Sequence, residues 1–407
     1  MLAMDPLLIG DLDTGDVLVV LLKVVVVFVI GLVATMLMVW FERKAIAGMQ
    51  NRIGPAKAGP FGILQTLAVG IKLFFKEDLI PEQSDRFVFK LAPYLSFVPA
   101  FLVWSVIPLG GDFTGDKVGL VSWFGRQTRV QLADPQIGVL LLLALSSIAV
   151  YGIMLAGWAS GSKYPLLGSV RASAQMVSYE AALSLSIASV LLLAGTLSTS
   201  GIVDAQGGTG NWHLVTTGFL PFFIFMIAAT AELNRPPFDL VEAEQELVGG
   251  FNTEYSSIRF ALFFLAEFMN TITMSAVIVT LFFGGPQPLT VNVGNVQWDG
   301  DLQLGFLNGT VWFLLKLLVF LYVYVWFRAT LPRLRYDQLM NLGWKLLIPV
   351  SLAWFMLLAA FRVGQDEGWN RWIVGLISAG VFAVCALLLV AATTVSARNR
   401  QREGAMF

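Results

Sequence analysis

Acidic side chains gather where a chain this apolar has least reason to carry them. Between Glu232 and Glu254 stand six carboxylates: Glu232, Asp239, Glu242, Glu244, Glu246 and Glu254. Pro236 and Pro237 end the helix before them, because neither ring nitrogen can donate and each proline pushes its predecessor out of the helical region. After Phe238, the acids Asp239, Glu242 and Glu246 recur at i, i+3 and i+7, one face of a further helix. Like charges at that spacing repel. Where such a face is buried, one or more of its members keeps a proton near neutral pH. Carboxylates sharing protons are material for a proton relay; a solvated acidic face is the plainer reading of the same pattern. Val248, Gly249, Gly250 and Phe251 lie among the acids and point to packing.

Four more charges, Lys23, Glu180, Glu267 and Lys316, fall inside long apolar runs. A charge at the centre of a bilayer costs roughly 2.5–3.5 kcal/mol on insertion scales, so each needs a partner or a role. Lys23 lies near the end of its run and can snorkel to the interface. For Glu180, Glu267 and Lys316, a proton or ion path is one reading, and an ion pair tying helices together is the other.

Other chemistries are excluded by what is missing. The chain has one Cys (Cys385) and one His (His213). Iron–sulfur clusters take about four thiolates each, and zinc sites need three or four ligands. There is no GxGxxG after a strand, no Walker A sequence, no HExxH and no GxSxG. No metal, no bound cofactor and no catalytic residue are therefore expected in this chain alone. A net charge of −1 offers no electrostatic footprint for nucleic acid.

The elements that must hold these residues are helices in a membrane. Of 407 residues, 57% are apolar and 13% charged, against roughly 45–50% and 25% in soluble domains; the mean hydropathy is +0.75. A bilayer core of about 30 Å takes roughly 20 apolar residues per helix. Runs that meet this lie near 17–41, 88–109, 136–158, 175–198, 217–233, 258–283, 306–328, 345–362 and 371–395. The fold class expected is an all-α, polytopic transmembrane bundle of about nine spans. It forms one integral membrane domain over 1–407. An outer-membrane barrel would instead alternate over about ten residues per strand.

Most of the 26 Lys and Arg fall in alternate loops: 42–90, 163–171, 235–259, 328–345 and 398–402. Only Lys117, Arg126, Arg129, Arg362 and Arg371 fall in the others. By the positive-inside rule the N-terminus is outside and the C-terminus inside, as an odd number of crossings demands. The first run follows Asp5, Asp11, Asp13 and Asp16 rather than a basic segment, and reads as a retained helix. Within the first inside loop, Phe61, Leu64, Leu67, Ala68, Ile71, Phe74 and Phe75 recur at helical spacing, with Gln65, Lys72 and Lys76 opposite. Sixteen residues with two Lys suit a helix lying in the interface plane. It is either an anchor that seats the protein or a lintel over a cavity that admits a lipid-like substrate.

Three blocks resemble a known family. Residues 42–81 run Glu-Arg-Lys, then Gln-Asn-Arg-Ile-Gly-Pro, then Lys-Glu-Asp-Leu-Ile-Pro. Residues 231–240 run Ala-Glu-Leu-Asn-Arg-Pro-Pro-Phe-Asp-Leu and continue to Glu254-Tyr255. Residues 328–339 run Arg-Ala-Thr-Leu-Pro-Arg-Leu-Arg-Tyr-Asp-Gln-Leu. In this order they are similar to the H subunit of proton-pumping NADH–quinone oxidoreductase, respiratory complex I, in bacterial plasma (inner) membranes. The resemblance spans nearly the whole chain. It implies quinone as substrate and membrane lipid as surroundings. It also implies neighbours in the membrane arm and quinone-site peripheral subunits, with FMN and iron–sulfur clusters held by partners. Carried over, Glu42, Arg43, Arg52, Phe61, Leu64 and Lys72 would belong to the quinone chamber. Asp239, Glu242, Glu246 and Glu254 would form an acidic funnel, with Glu232, Glu180 and Glu267 leading the proton path inward. Arg328, Arg333, Arg335 and Asp337 would meet the peripheral arm. No role carries over to Lys316, to 110–134 or to the tail 396–407. Equivalent chains of hydrogenase-type complexes share parts of these motifs and give the second reading. A self-standing ion transporter is the third; it often shows repeated halves, which this sequence lacks.

Overall fold

In hydrocarbon every backbone N–H and C=O has to be satisfied within the protein, which makes helices of the long apolar runs. The computed structural model describes residues 5–8, 13–113, 118–123, 125–240, 248–293, 296–298, 304–368, 380 and 387. The expected span 371–395 apart from 380 and 387, the tail 396–407, and Glu242 and Glu246 lie outside the described residues. Among the described residues, seven helical runs are long and apolar enough to cross a membrane. They are α1 (Thr14–Met49), α3 (Arg86–Trp104), α4 (Gly138–Ala159), α5 (Lys163–Ala194), α9 (Ser257–Phe282), α10 (Asn308–Thr330) and a run from Tyr336 to Asp366. That last run joins α11 (Tyr336–Leu342) to α12 (Ile348–Asp366) through a π turn at Gly343–Leu347.

α9 is the most enclosed of these, buried over most of its length by α1, α3 and α10. α1 is the opposite case: Val17, Leu18, Leu21, Val25 and Phe28 are exposed along it, as a lipid-facing helix requires. α3 carries Pro93 and Pro99 in its interior. Pro93 has no N–H for the carbonyl of Phe89 four residues earlier. The Tyr255 hydroxyl supplies the missing donor at 3.2 Å, its ring stacked on Phe89 with centroids 4.1 Å apart. α3 and α4 meet at Gly152, where a Cβ would stand 2.7 Å from the backbone nitrogen of Ser96.

Several expectations change in the structure. α5 begins at Lys163 rather than near 175. Its first turns are rich in small residues, buried against neighbouring protein at Pro165, Gly168 and Ser169, so they need less hydropathy than a lipid-facing span. The run 217–233 gives α8 (Leu220–Glu232), only 13 residues and about 20 Å long. Gly218 and Phe219, at φ +82° and +61°, interrupt the chain before it, after the short α7 (His213–Thr216). The interfacial helix α2 spans Gln65–Phe75, shorter than 61–76. Phe61 lies instead in a 3-10 turn, Pro60–Gly62, that Gly62 makes possible: at φ +79° a Cβ there would sit 2.4 Å from the Pro55 carbonyl oxygen. No residue of α2 is buried, as befits a helix lying on a surface.

The segment 110–134 holds an antiparallel hairpin, β1 (Leu120–Trp123) with β2 (Arg126–Arg129), Leu120 opposite Arg129. It fastens the start of α1. Arg126 pairs with Asp13 at 2.9 Å and with Asp16, and its guanidinium holds the Asp13 carboxyl below the usual range. Lys23 does not snorkel: it is buried, 2.5 Å from Asp5 and 2.9 Å from the Thr128 hydroxyl. A second hairpin pairs β3 (Val291–Val293) with β4 (Val296–Trp298). The short α6 (Thr199–Asp204) follows α5, its Ser198 cap accepting from the Gly201 N–H.

Candidate functional site

The three sequence blocks converge on one buried chain of charges. Glu42, near the C-terminal end of α1, is 5% exposed. Its carboxylate accepts from Arg235 Nη1 at 3.1 and 3.3 Å and pairs with Arg328 at the end of α10. Arg235, itself buried, also brings Nη2 to 3.2 Å from Glu267 Oε1 on α9. Its guanidinium carbon lies 4.5 Å from the ring centre of Phe268, a cation–π contact that orients the fork.

The turn that delivers Arg235 is set by the end of α8. Past Glu232 the helix leaves carbonyls without donors. Gln175 of α5, fully buried, donates its side-chain N–H to Ala231 O at 2.7 Å and to Phe238 O at 2.9 Å. Further on, Leu334 N donates to Pro237 O at 2.9 Å, and Arg333 pairs with Asp239 at 2.9 Å. Block two is thus clasped by blocks one and three.

Beside this chain of charges lies a cavity with about 60 Å³ of room for water, several times what one molecule needs. Glu232, Asn234, Glu267, Asn270 and Ser96 contribute its polar wall. A smaller space of about 20 Å³ continues from it, sharing Glu232, Asn270 and Ala149 and adding Ser146 and Thr273. Ser146 stands beside Glu232 on this wall, and Glu180 lies close enough to act on the charge of Glu232. Ser147 donates to Glu180 in turn. Tyr324 of α10, buried, stands next to Glu232 and Thr230. Glu232 and Glu267 thus line one wettable space, and Glu180 stands close to Glu232. Carboxylates, hydroxyls and water in such proximity can pass a proton between them.

The other expected residues are distributed less evenly. Arg43 is exposed, and Arg52 donates to Gln50 at 2.7 Å. Phe61, Leu64 and Lys72 are exposed on the α2 side, where the Phe61 carbonyl accepts from Trp40 Nε1 at 3.0 Å. None of these five bonds or pairs with a described member of the Glu42 cluster. Glu254 is half-buried in the turn before α9. Around it Phe251 packs edge-on against Phe263, Val248 is exposed, and burial raises the Tyr255 phenol above its usual range. Arg328 and Arg333, expected to face a neighbouring arm, find partners within the chain at Glu42 and Asp239. Arg335 and Asp337 are exposed and pair with each other at 3.4 Å.

Lys316 finds backbone carbonyls rather than the ion pair that was one reading of it. Its ammonium donates to the carbonyls of Phe283 (2.7 Å), Gly285 (3.0 Å) and Gln287 (2.7 Å), closing the C-terminal end of α9 where a cation is favoured. Residues that sequence reasoning passed over include Arg235, Asn270, Ser146 and Ser147. Asn270 carried a signal: an amide one turn beyond Glu267 in an apolar helix marks a shared polar face. Among the described residues no group of three or more His, Cys, Asp or Glu comes together to hold a metal ion.

Known proteins give this arrangement its context. Residues 22–359 match the NADH dehydrogenase family. The H subunit of the NADH-quinone oxidoreductase of Frankia alni is 50% identical over 386 residues, covering 94% of this chain and 81% of the relative. Its namesake in Frankia casuarinae matches to the same extent, 50% over 386 residues. With its apolar helices and the three motif blocks joined around Glu42, the chain belongs to the NADH dehydrogenase family, as a membrane subunit of the H type of NADH-quinone oxidoreductase.

Proposed function

We propose that this membrane subunit of NADH-quinone oxidoreductase forms much of the quinone-access chamber and couples quinone reduction to proton translocation. The observation that carries the reading is the junction of Glu42, Arg235 and Glu267 beside a cavity that also receives Glu232. Glu42, Arg43, Arg52, Phe61, Leu64 and Lys72 form or support the chamber and its mouth, α2 being the lintel. Asp239, Glu242, Glu246 and Glu254 form the acidic funnel. From it Glu267, Glu232 and Glu180 carry protons into the bundle through water and the Ser146 and Ser147 hydroxyls. Arg335 and Asp337, exposed, meet the peripheral arm, with Arg328 and Arg333 bracing the surface behind them.

The chain crosses a bacterial plasma membrane nine times with its N-terminus outside. The seven long runs and α8 supply eight of these crossings; the ninth rests on the apolar sequence of 371–395. Its partners are the other subunits of the complex, which carry the FMN and the iron–sulfur clusters; the chain itself binds no cofactor. Quinone and lipid reach it from the bilayer.

Gentle detergent extraction of the tagged chain tests this, read by particle size, flavin content and inhibitor-sensitive NADH–quinone activity. Co-purification of flavin with quinone reductase activity is the expected result. A large particle that evolves hydrogen without reducing quinone would move the chain to a hydrogenase-type complex. A small flavin-free particle that moves ions in liposomes would overturn the reading altogether.

A further inference from the structure

Arg235 is a single cation shared by two carboxylates that belong to different parts of the proposed machinery. On one side Glu42 lies in the first motif block, its carboxylate also held by Arg328. On the other, Glu267 lines the cavity with Glu232. The side chains in the middle, Glu42 and Arg235, are 7% and 5% exposed; those at the ends, Arg328 and Glu267, are 35% and 29% exposed. Among the described residues, the two guanidinium groups and two carboxylates of this chain of pairs sum to zero charge. Neutrality inside a dry site holds only while each enclosed charge keeps an opposite one in contact.

We infer that Arg235 is a positioning residue for proton transfer, a shared counter-ion that makes the charge on Glu267 answer to the charge on Glu42. This deepens the function proposed above and rests on it. When Glu42 takes up a proton, Arg328, a third exposed, turns its charge to water. Arg235, 5% exposed, has no such outlet, and its charge falls on Glu267, already 3.2 Å away. The coupled step starts with Glu267 protonated: as the charge of Arg235 comes to bear on it, Glu267 gives its proton to water in the adjoining cavity, and Arg235 then holds it as a carboxylate. When Glu267 takes up a proton instead, Arg235 falls back on Glu42. No covalent bond changes beyond the two O–H bonds, and each proton has a named donor or acceptor. The planar fork suits this part because its two Nη atoms reach two acids at once, which a lysine ammonium on a flexible stem does not do. Phe268 under the guanidinium keeps the fork in the plane that serves both.

Glu42 and Glu267 both pair with Arg235, so energetic coupling between them that depends on Arg235 is the signature of the shared cation. The test is a double-mutant cycle of Glu42→Gln and Glu267→Gln in the intact complex, with short-tailed benzoquinone and naphthoquinone as acceptors. Turnover and protons moved per NADH are read, and NADH oxidation by an artificial acceptor reports assembly. The combined loss is expected to fall short of the product of the single losses by about 10-fold, within the range of directly coupled sites. In an Arg235→Lys background the shortfall is expected to drop below about 3-fold. Single losses that multiply cleanly with Arg235 present would overturn the inference while leaving the proposed function standing. A coupling unchanged by Arg235→Lys would overturn it too, since the link would then run elsewhere. If neither single variant alters quinone-linked turnover, both the inference and the proposed function fail together. Should Arg235→Lys not assemble, the cycle in the native background decides by itself.

Discussion

Arg333 Nη2 lies 2.9 Å from Asp239 Oδ2, across 94 residues of sequence. With Leu334 N on Pro237 O, the pair fastens the segment after α10 onto the turn after α8. The same turn carries Arg235 to Glu42 and Glu267. A surface contact and the buried chain of charges are thus two ends of one short stretch, 235–239.

Asp239→Asn removes the negative charge but keeps the shape. Arg333 is 41% exposed, so the pair is screened and contributes about 1 kcal/mol or less. The expected result is a fall in quinone-linked turnover of about 5-fold at most, with NADH oxidation by an artificial acceptor retained. Glu246→Gln is expected to act in the same direction. Full quinone-linked turnover in both variants would remove the acidic funnel from the mechanism.

Arg52→Ala separates chamber from scaffold. The side chain is exposed and hydrogen-bonds only as far as Gln50, two residues away. Quinone-linked turnover is expected to fall while particle size and flavin content stay as in the native complex. Failure to assemble would mean that Arg52 is structural.

Ala149 lines both the larger cavity and its continuation. Ala149→Leu places three more carbons at their junction, at an overpacking cost of about 1–3 kcal/mol. Protons moved per NADH are expected to fall more than electron transfer does, because the water is displaced and the quinone region is untouched. Equal loss of both would show that the cavity carries no protons. Ala149→Ser, which keeps the space polar, is the companion expected to behave as the native protein.

His213 makes stability depend on pH. Burial pushes its imidazole down to about 4 from the ordinary 6.5, and Nδ1 lies 3.3 Å from the Thr216 hydroxyl. The folded state therefore resists the proton that the unfolded chain accepts. Stability is unaffected above pH 6.5 and falls as the pH drops from 6.5 toward 4, by up to about 3 kcal/mol. His213→Gln is expected to flatten that part of the curve, seen as a smaller drop in thermal midpoint between pH 7 and pH 5. Parallel curves for the two proteins would acquit His213.

Runs of twenty apolar residues announce helices in a membrane, because hydrocarbon offers the backbone no other partner. A single thiol and a single imidazole, Cys385 and His213, speak against a metal site just as directly. The 3.6-residue rhythm after Phe61 marked a surface helix, observed as Gln65–Phe75. Composition and period suffice for such features because they depend on neighbours along the chain. The partners of buried charges do not. Glu42 meets Arg235 across 193 residues and Arg328 across 286, and nothing local to any of them specifies the match. Lys23 and Lys316 make the point by contrast. Both are single lysines in apolar helices, yet one found an aspartate and a threonine, the other three carbonyls at a helix end. Which polar group lies within reach of a buried ammonium is settled by how the helices pack. The cavity beside Glu232 and Glu267 arises in the same way, from small residues and carboxylates on several helices that become neighbours only when the bundle closes.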